Sequence, residues 1–201
     1  MIYSPSEDSY LLEECVKKFA KGKIVLDLGA GSGIQTEVAI KFGAKSVLSS
    51  DIDDDSIIFL KSKSPFRGLL DARSAPRTKV RGLSSTSTSK NYNVIKSDLF
   101  SKIKGKFNLI IFNPPYLPED SLEDSESKLI TTGGKKGDEI ILRFLKNVKS
   151  YLLKKGIILL LLSSLTPKKR ILTELKKQKL KKIIISKKKI FMEELQVWKI
   201  Q

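Results

Sequence analysis

The sequence contains no histidine at all. That absence removes Ser-His-Asp and Cys-His nucleophilic machinery, and any histidine-bearing metal site. Cysteine occurs once, at Cys15, among 201 residues. One thiol cannot build a disulfide framework or a thiolate zinc site, so no metal is expected, and a reducing, cytoplasmic compartment fits. Cys15 lies in a helical pattern and is expected to be a small buried apolar residue. Aromatic residues make up only 7% of the chain, and none is interleaved with the basic runs to stack nucleobases. The longest apolar run, Gly156 to Leu162, is too short to span a bilayer. The opening Met1-Ile2-Tyr3-Ser4-Pro5 leads straight into acidic residues and carries no signal-peptide pattern. Chemistry on this chain must therefore use carboxylates, amides, tyrosine, lysine or a reactive cofactor.

Positive charge, by contrast, is abundant: 38 Lys and Arg against 22 Asp and Glu, a net +16. Lysine is spread through the last third, with runs at Lys168-Lys169-Arg170 and Lys187-Lys188-Lys189. Such a surface favours acidic partners, RNA or ribosome-associated proteins among them, or is simply the solvated face of a lysine-rich protein. The 40% hydrophobic and 30% charged fractions fit a soluble globular protein, and 201 residues suffice for one α/β domain spanning the chain.

Apolar periodicity alternates along the sequence. Glu7 to Ala20 carries helical spacing, with Ser6 or Asp8 available as cap. Ile24 to Leu28 reads as a strand, Ile34 to about Phe42 as a helix, Val47-Leu48 as a strand, and a helix follows from Asp54. Between Lys61 and Lys90 the pattern fails. That stretch holds Pro65, Gly68, Pro76, Gly82 and a Ser/Thr run, and is expected to be a long, flexible, low-complexity insertion. Strands return at Asn93 to Ile95 and Leu109 to Phe112. A helix is expected over Asp138 to Leu153, a buried strand over Ile157 to Leu162, and a helix from Pro167 to about Lys177. Two last strands, Lys182 to Ile185 and Leu195 to Ile200, are expected antiparallel at one edge. The alternation predicts a doubly wound, mostly parallel α/β sheet with helices on both faces.

Four strands end in chemistry-bearing residues. The first runs into Asp27-Leu28-Gly29-Ala30-Gly31-Ser32-Gly33, a turn that opens a helix and lets a ligand approach the backbone. Its third glycine comes one residue too early for the dinucleotide-binding pattern, and the carboxylate of Asp27 would oppose a pyrophosphate but suit a cation. The second strand ends at Asp51, where acidic residues take ribose hydroxyls. The third leads to Asp98, which can accept from an exocyclic amine. The fourth ends at Asn113-Pro114-Pro115-Tyr116. The prolines cannot continue a strand, so the chain turns out there. The Asn113 side-chain carbonyl and the Pro114 backbone carbonyl can then accept both hydrogens of an –NH₂ group. Each residue alone fits a helix cap or a turn; together they would lie along one sheet edge.

These motifs resemble the class I S-adenosylmethionine-dependent methyltransferases, and more narrowly the HemK-like glutamine methyltransferases that modify translation release factors. Tyr3-Ser4-Pro5-Ser6-Glu7-Asp8-Ser9 is similar to the opening of that family's eukaryotic and archaeal branch. Gly133-Gly134-Lys135-Lys136-Gly137, followed by Arg143-Phe144, is similar to a second segment of the branch. The resemblance implies a seven-stranded Rossmann-like sheet and S-adenosylmethionine as cofactor. Ser9 and Asp27 would sit near its methionine part, Gly29, Gly31 and Gly33 at the turn beneath it, Asp51 at the ribose, and Asp98 and Leu99 at the adenine. Asn113 would lie against the cofactor as well. Asn113, Pro114, Pro115 and Tyr116 would carry the catalysis, with Tyr116 packed on the substrate amide. The implied acceptor is the glutamine amide of a Gly-Gly-Gln loop in a peptide-chain release factor, and the implied partner a small zinc-binding activator subunit added along an edge strand. Two departures stand out: the long segment over 61–90, and Ser9 where threonine is commoner. Asn-Pro-Pro-Tyr is shared with adenine-N6 methyltransferases acting on RNA or DNA, which is the alternative acceptor. A non-catalytic basic RNA-binding module on the same fold is the other.

Overall fold

The protein is described here by a computed structural model covering residues 4–63, 92–119 and 131–201. The expected insertion over 61–90 falls almost wholly outside these residues, as does Tyr3 of the opening motif. Seven strands form one sheet: β1 (Ile24–Leu28), β2 (Ser46–Asp51), β3 (Tyr92–Lys96), β4 (Phe107–Phe112), β5 (Leu152–Ser163), β6 (Lys182–Lys189) and β7 (Glu194–Ile200). Their spatial order is β3-β2-β1-β4-β5-β7-β6. The first five are parallel, while β7 pairs antiparallel with both β5 and β6. Five helices accompany them among the described residues: α1 (Glu7–Phe19), α2 (Ile34–Lys41), α3 (Asp54–Ser62), α4 (Glu139–Val148) and α5 (Lys168–Lys177).

The continuous apolar runs explain the two-sided core. Successive side chains of a strand point to opposite faces, so a strand apolar at every position needs cover on both. In β4, Leu109 and Ile111 join the core beneath α1 and α2, whereas Ile110 and Phe112 join the core beneath α4 and α5. β5 divides the same way: Ile157, Leu159 and Leu161 against Ile158, Leu160 and Leu162. Among the described residues no helix is long and apolar enough to cross a membrane.

Three sequence expectations need correction. The helix expected to reach Leu153 ends at Val148, followed by a short 3-10 turn over Lys149–Tyr151. Leu152 continues the helical spacing of apolar residues, but its backbone pairs with Phe107 in the sheet. The left-handed φ of 62° at Lys155 accompanies a register shift before the parallel ladder resumes at Ile157. Second, the strand expected over Lys182 to Ile185 runs on to Lys189, so the lysine run 187–189 is part of β6. Third, Ser6 takes the cap position of α1 as one of the two residues expected there, but its side chain makes no cap bond to the helix: Ser6 Oγ donates to Asp8 Oδ1 at 3.1 Å, and the same oxygen accepts from Ser9 N–H at 2.6 Å.

β1 and β4 are neighbours whose connections leave in opposite directions, to β2 on one side and β5 on the other. Open α/β sheets form a crevice at that switch point, outside the carboxyl ends of the strands. All four chemistry-bearing strand ends border it.

Candidate active site

A cleft of about 650 Å³ lies over this switch point. Among the residues lining it are Ser9, Asp27, Gly29, Gly31, Asp51, Asp98, Leu99 and Asn113 to Tyr116. Gly33 is not among them. It opens α2 with φ 78°, and a Cβ there would come within 2.7 Å of the Leu60 side chain, so its role is to let α2 and α3 close together.

Asp51 ends β2 and is fixed by two backbone donors, Gly31 N–H at 2.8 Å and Asp53 N–H at 3.0 Å, one on each oxygen. A carboxylate has about four acceptor positions, so both oxygens keep a lone pair for hydroxyls entering the cleft. Asp27 is buried below the glycine turn and accepts from Thr36 Oγ1 at 2.6 Å, while Ser49 Oγ lies 2.5 Å from the same hydroxyl. Burial pushes the Asp27 carboxyl up to about 7, the Asp51 charge adds to this, and the Thr36 bond opposes it. Asp98, just past β3, is ion-paired to Arg143 of α4 at 2.7 Å with both side chains about half exposed. Such a pair contributes about 0–1 kcal/mol, so Asp98 is readily given up to another donor. Leu99 adopts a left-handed φ of 46°, held by Ser97 Oγ donating to its carbonyl at 2.8 Å.

The amide of Asn113 is held in one orientation. Its Nδ2 donates to Asp8 Oδ2 at 2.9 Å, across 105 residues of sequence. A carboxylate only accepts, so this bond fixes the amide orientation and turns Oδ1 away from Asp8. Oδ1 is buried with no hydrogen-bond partner among the described residues. Gln35 repeats the arrangement: Nε2 donates to the Ser9 carbonyl at 2.8 Å, and Oε1 is buried without a partner among the described residues. The first turn of α1 thus holds the donor ends of two amides and leaves both acceptor ends unsatisfied.

The Gly133-to-Gly137 segment braces Asn113 to Tyr116 from outside. Thr131 O accepts from Tyr116 N–H at 3.1 Å and Leu117 N–H at 3.0 Å, and Gly133 N–H donates to Leu117 O at 2.9 Å. A Cβ on Gly133 would lie 2.5 Å from Gly137 O and 2.7 Å from Pro115 O, which explains glycine there. Tyr116 is half-buried against both cores, and its carbonyl accepts from Thr166 Oγ1 at 3.2 Å. The core against which Tyr116 packs holds an aromatic stack, with Phe112 and Phe144 rings 4.7 Å apart and Phe100 and Tyr151 continuing it, but Phe112, Phe144 and Phe100 are buried in the core.

Four residues around the cleft were missed as site residues. Asp8 stands inside the opening motif, but an Asp at a helix start is usually a cap, and nothing local marks it otherwise. Arg143 was noted only as part of a motif. Gln35 and Thr36 carry no signal beyond following the glycine turn.

Seven aspartates line the cleft, Asp8, Asp27, Asp51, Asp53, Asp54, Asp55 and Asp98, against one cation, Arg143, among the described residues. A parallel-then-antiparallel sheet with a glycine turn and an acidic cleft at its switch point defines a class I methyltransferase. Comparison with known proteins gives the narrower group. The model of the Eco57I restriction-modification methylase family matches residues 38–193, and that of ribosomal protein L11 methyltransferase matches 10–64. A provisionally named protein N5-glutamine methyltransferase of Methanocaldococcus jannaschii, MJ0928, is 34% identical over 98% of this chain and 89% of its own length. Methyltransferase HEMK2 of Mus musculus is 25% identical over 79% of this chain and 70% of its own. Among solved structures, the E. cuniculi Mtq2–Trm112 complex, described as responsible for methylating the eRF1 termination factor, aligns with TM-score 0.70 and 26% identity over 100% of this chain and 98% of that one. The chain belongs to the S-adenosylmethionine-dependent protein N5-glutamine methyltransferases. The cleft suits that cofactor: its volume falls in the range of small-molecule sites, and its carboxylates favour a sulfonium and an ammonium over a polyphosphate.

Proposed function

We propose that the chain methylates the side-chain amide of the glutamine in a Gly-Gly-Gln loop of a translation release factor. The observation that carries this reading is the orphaned Asn113 Oδ1, held in place by Asp8. An amide nitrogen is a poor nucleophile because its lone pair is delocalised into the carbonyl. When bound, S-adenosylmethionine would supply a methyl group already activated by a sulfonium, its S–CH₃ bond breaking to a neutral thioether as the N–CH₃ bond forms; the nitrogen then gives one proton to solvent, so orientation rather than strong base is what the protein must add. Asn113 Oδ1 accepts one N–H of the incoming amide and gains the bond it lacks. Pro114, whose nitrogen carries no hydrogen, offers the second acceptor through its carbonyl. Pro115 keeps the turn rigid, and the Tyr116 ring packs on the amide plane. Ser9 and Gln35 face the methionine end of the cofactor with Asp27 beneath, Asp51 takes ribose hydroxyls, and Asp98 and Leu99 take the adenine. The acidic cleft disfavours the alternative acceptor, adenine N6 within RNA or DNA, because phosphates would approach seven aspartates.

A small Trm112-like activator is proposed as partner along β3. Of the sheet's outer strands, β6 carries three consecutive lysines and a register shift between Ile184 and Ser186, both devices that discourage strand addition. β3 carries neither. The deciding experiment transfers tritiated methyl from the cofactor, with co-expressed activator, to release factor and RNA side by side. Label in the factor, lost when the loop glutamine becomes alanine, is expected. Label in RNA alone overturns the acceptor assignment.

A further inference from the structure

The turn joining β6 to β7 ends in two large apolar side chains that nothing among the described residues covers: Phe191 is 97% exposed and Met192 76%. Isolated exposed apolar residues are ordinary. These two differ in how firmly they are held. Ile190 N–H donates to Glu193 O at 2.9 Å and closes the turn. Ser163 Oγ bonds the Glu193 carboxylate, Ser164 N–H donates to Glu194 O at 2.8 Å, and Glu194 N–H donates to Ser164 Oγ at 2.9 Å. The tip is therefore tied to the end of β5, and the backbone that carries the apolar pair is held in place.

The tip also stands on the catalytic edge of the sheet. Phe112 pairs with Leu160, Ser163 with Leu195, and Lys189 with Glu194, so the turn projects from the edge that carries Asn113. Two polar chains link it to the cleft. Lys188 pairs with Glu7, next to Asp8, which holds Asn113. Glu193 bonds Ser163, whose N–H donates to Thr166 Oγ1 at 3.3 Å, and that hydroxyl donates to Tyr116 O.

Near the tip only Lys189 of the β6 lysine run has no ion pair among the described residues, too little positive charge to hold a nucleic acid. Lys188 is neutralised by Glu7 and Lys187 by Glu194 at 3.1 Å, and Glu193 sits beside Met192. A single ring also cannot stack successive bases. We propose that Phe191 and Met192 form a docking knob that seats in an apolar recess of the folded protein carrying the acceptor glutamine, outside its acceptor loop. This rests on the reading of the acceptor given above. An activator on β3 would lie at the far edge of the sheet, leaving the knob free.

The test uses the activator-bound enzyme, wild type and Phe191→Ala/Met192→Ala, on full-length release factor and on a short peptide containing its Gly-Gly-Gln loop. Both side chains are exposed, so the melting temperature should not move. KM for the intact factor should rise about 10- to 100-fold, as for the loss of an interface anchor, with kcat, cofactor affinity and peptide kinetics within twofold. An unchanged KM for the factor overturns the knob, as does an equal loss on factor and peptide. Loss of activator co-purification or of RNA binding, with the factor KM unmoved, overturns it too. If the wild type labels the factor and not the peptide, remote docking is obligatory and the factor arm decides alone. If the wild type labels neither at glutamine, the acceptor reading itself fails and the knob as stated falls with it.

Discussion

The cleft and the far end of the sheet carry opposite charge. The parallel half, β3-β2-β1-β4, opens into a cleft lined by seven aspartates and one arginine among the described residues. The other end, α5 and β6, carries Lys168, Lys169, Arg170, Lys176 and Lys177 on the helix and Lys182 and Lys187 to Lys189 on the strand, against a single acid within these elements, Glu174. A net charge of +16 is therefore an average over two unlike regions. It describes the outside of the molecule and misdescribes the place where chemistry is proposed. At physiological ionic strength charges farther apart than about 8 Å are largely screened, so the lysines do little to the field in the cleft. A cationic cofactor meets carboxylates, and a polyanionic acceptor would have to pass them.

If the cleft does the chemistry, the largest effect belongs to Asn113. Asn113→Ala removes the oriented acceptor, and kcat is expected to fall about 10²- to 10³-fold, the loss seen when one preorganised hydrogen-bonding group is deleted from an acyl-transfer site. Cofactor affinity should change far less. Asp8→Ala should reproduce part of that loss without touching the reacting amide, because Asn113 is then free to turn. Wild-type turnover in both variants would move the catalytic site elsewhere.

Asp51→Ala comes next. The variant loses a carboxylate that bonds Gly31 N–H and Asp53 N–H and is proposed to receive ribose hydroxyls. Charged hydrogen bonds contribute about 1.5–3 kcal/mol, so cofactor binding measured calorimetrically should weaken roughly 10- to 100-fold. Equal affinity in variant and wild type would falsify the ribose assignment.

Much of this comparison was legible in the sequence, for identifiable reasons. Strand-end residues are legible because an apolar run, a breaker and a polar residue follow in order, as in Leu109 to Asn113. All seven strands follow from such runs, and the antiparallel pairing of the last two was expected as well. What could not be read is pairing across the chain. Nothing local to Asp8 shows that its partner is 105 residues away, and its local pattern fits a cap. Gln35 lies on a helix that is amphipathic only weakly, so no periodicity marks which side it takes. The end of α4 was misplaced because Leu152 satisfies the helical period and the strand run at once. The sheet won, through Phe107 opposite it. Charge segregation was only partly visible: Asp51, Asp53, Asp54 and Asp55 are neighbours in sequence, and Asp27 and Asp98 were expected on the same sheet edge, but Asp8 joins them only when the start of α1 meets the strand ends.

The buried acid in the cleft floor gives a smaller, pH-dependent effect. Asp27 has a folded value of about 7 against an ordinary 3.8, raised first by burial. Between these values the native protein keeps a proton that the unfolded chain has lost. Stability from this group is therefore full below about pH 4, falls as pH rises, and levels off above 7, with a slope up to about 1.4 kcal/mol per pH unit. Asp27→Asn should remove that slope from urea-unfolding curves recorded between pH 4 and 7. Saturating cofactor should flatten it in the wild type, since a nearby cation favours the ionised form. Parallel wild-type and Asp27→Asn curves would show that Asp27 does not titrate in this window.

The smallest expected effect lies at the basic end, and it is the sharpest check on the comparison. Lys169 and Lys181 are exposed and belong to neither the cleft nor the proposed docking tip. Lys169 sits in the first turn of α5, where a cation opposes the helix dipole, so Lys169→Glu is if anything slightly stabilising. Reversing both residues to Glu lowers the net charge by four, two per substitution. If the cleft is electrically separate from this surface, cofactor affinity and turnover on release factor should stay within twofold, at low and at physiological salt. A basic RNA-binding module predicts the opposite: each lost phosphate contact weakens RNA binding and flattens its salt dependence by about one unit of slope. A variant that keeps methyl transfer yet loses function in cells, together with RNA affinity, would assign the lysines a role of their own. A variant that loses methyl transfer would show that the two ends of the sheet are coupled after all.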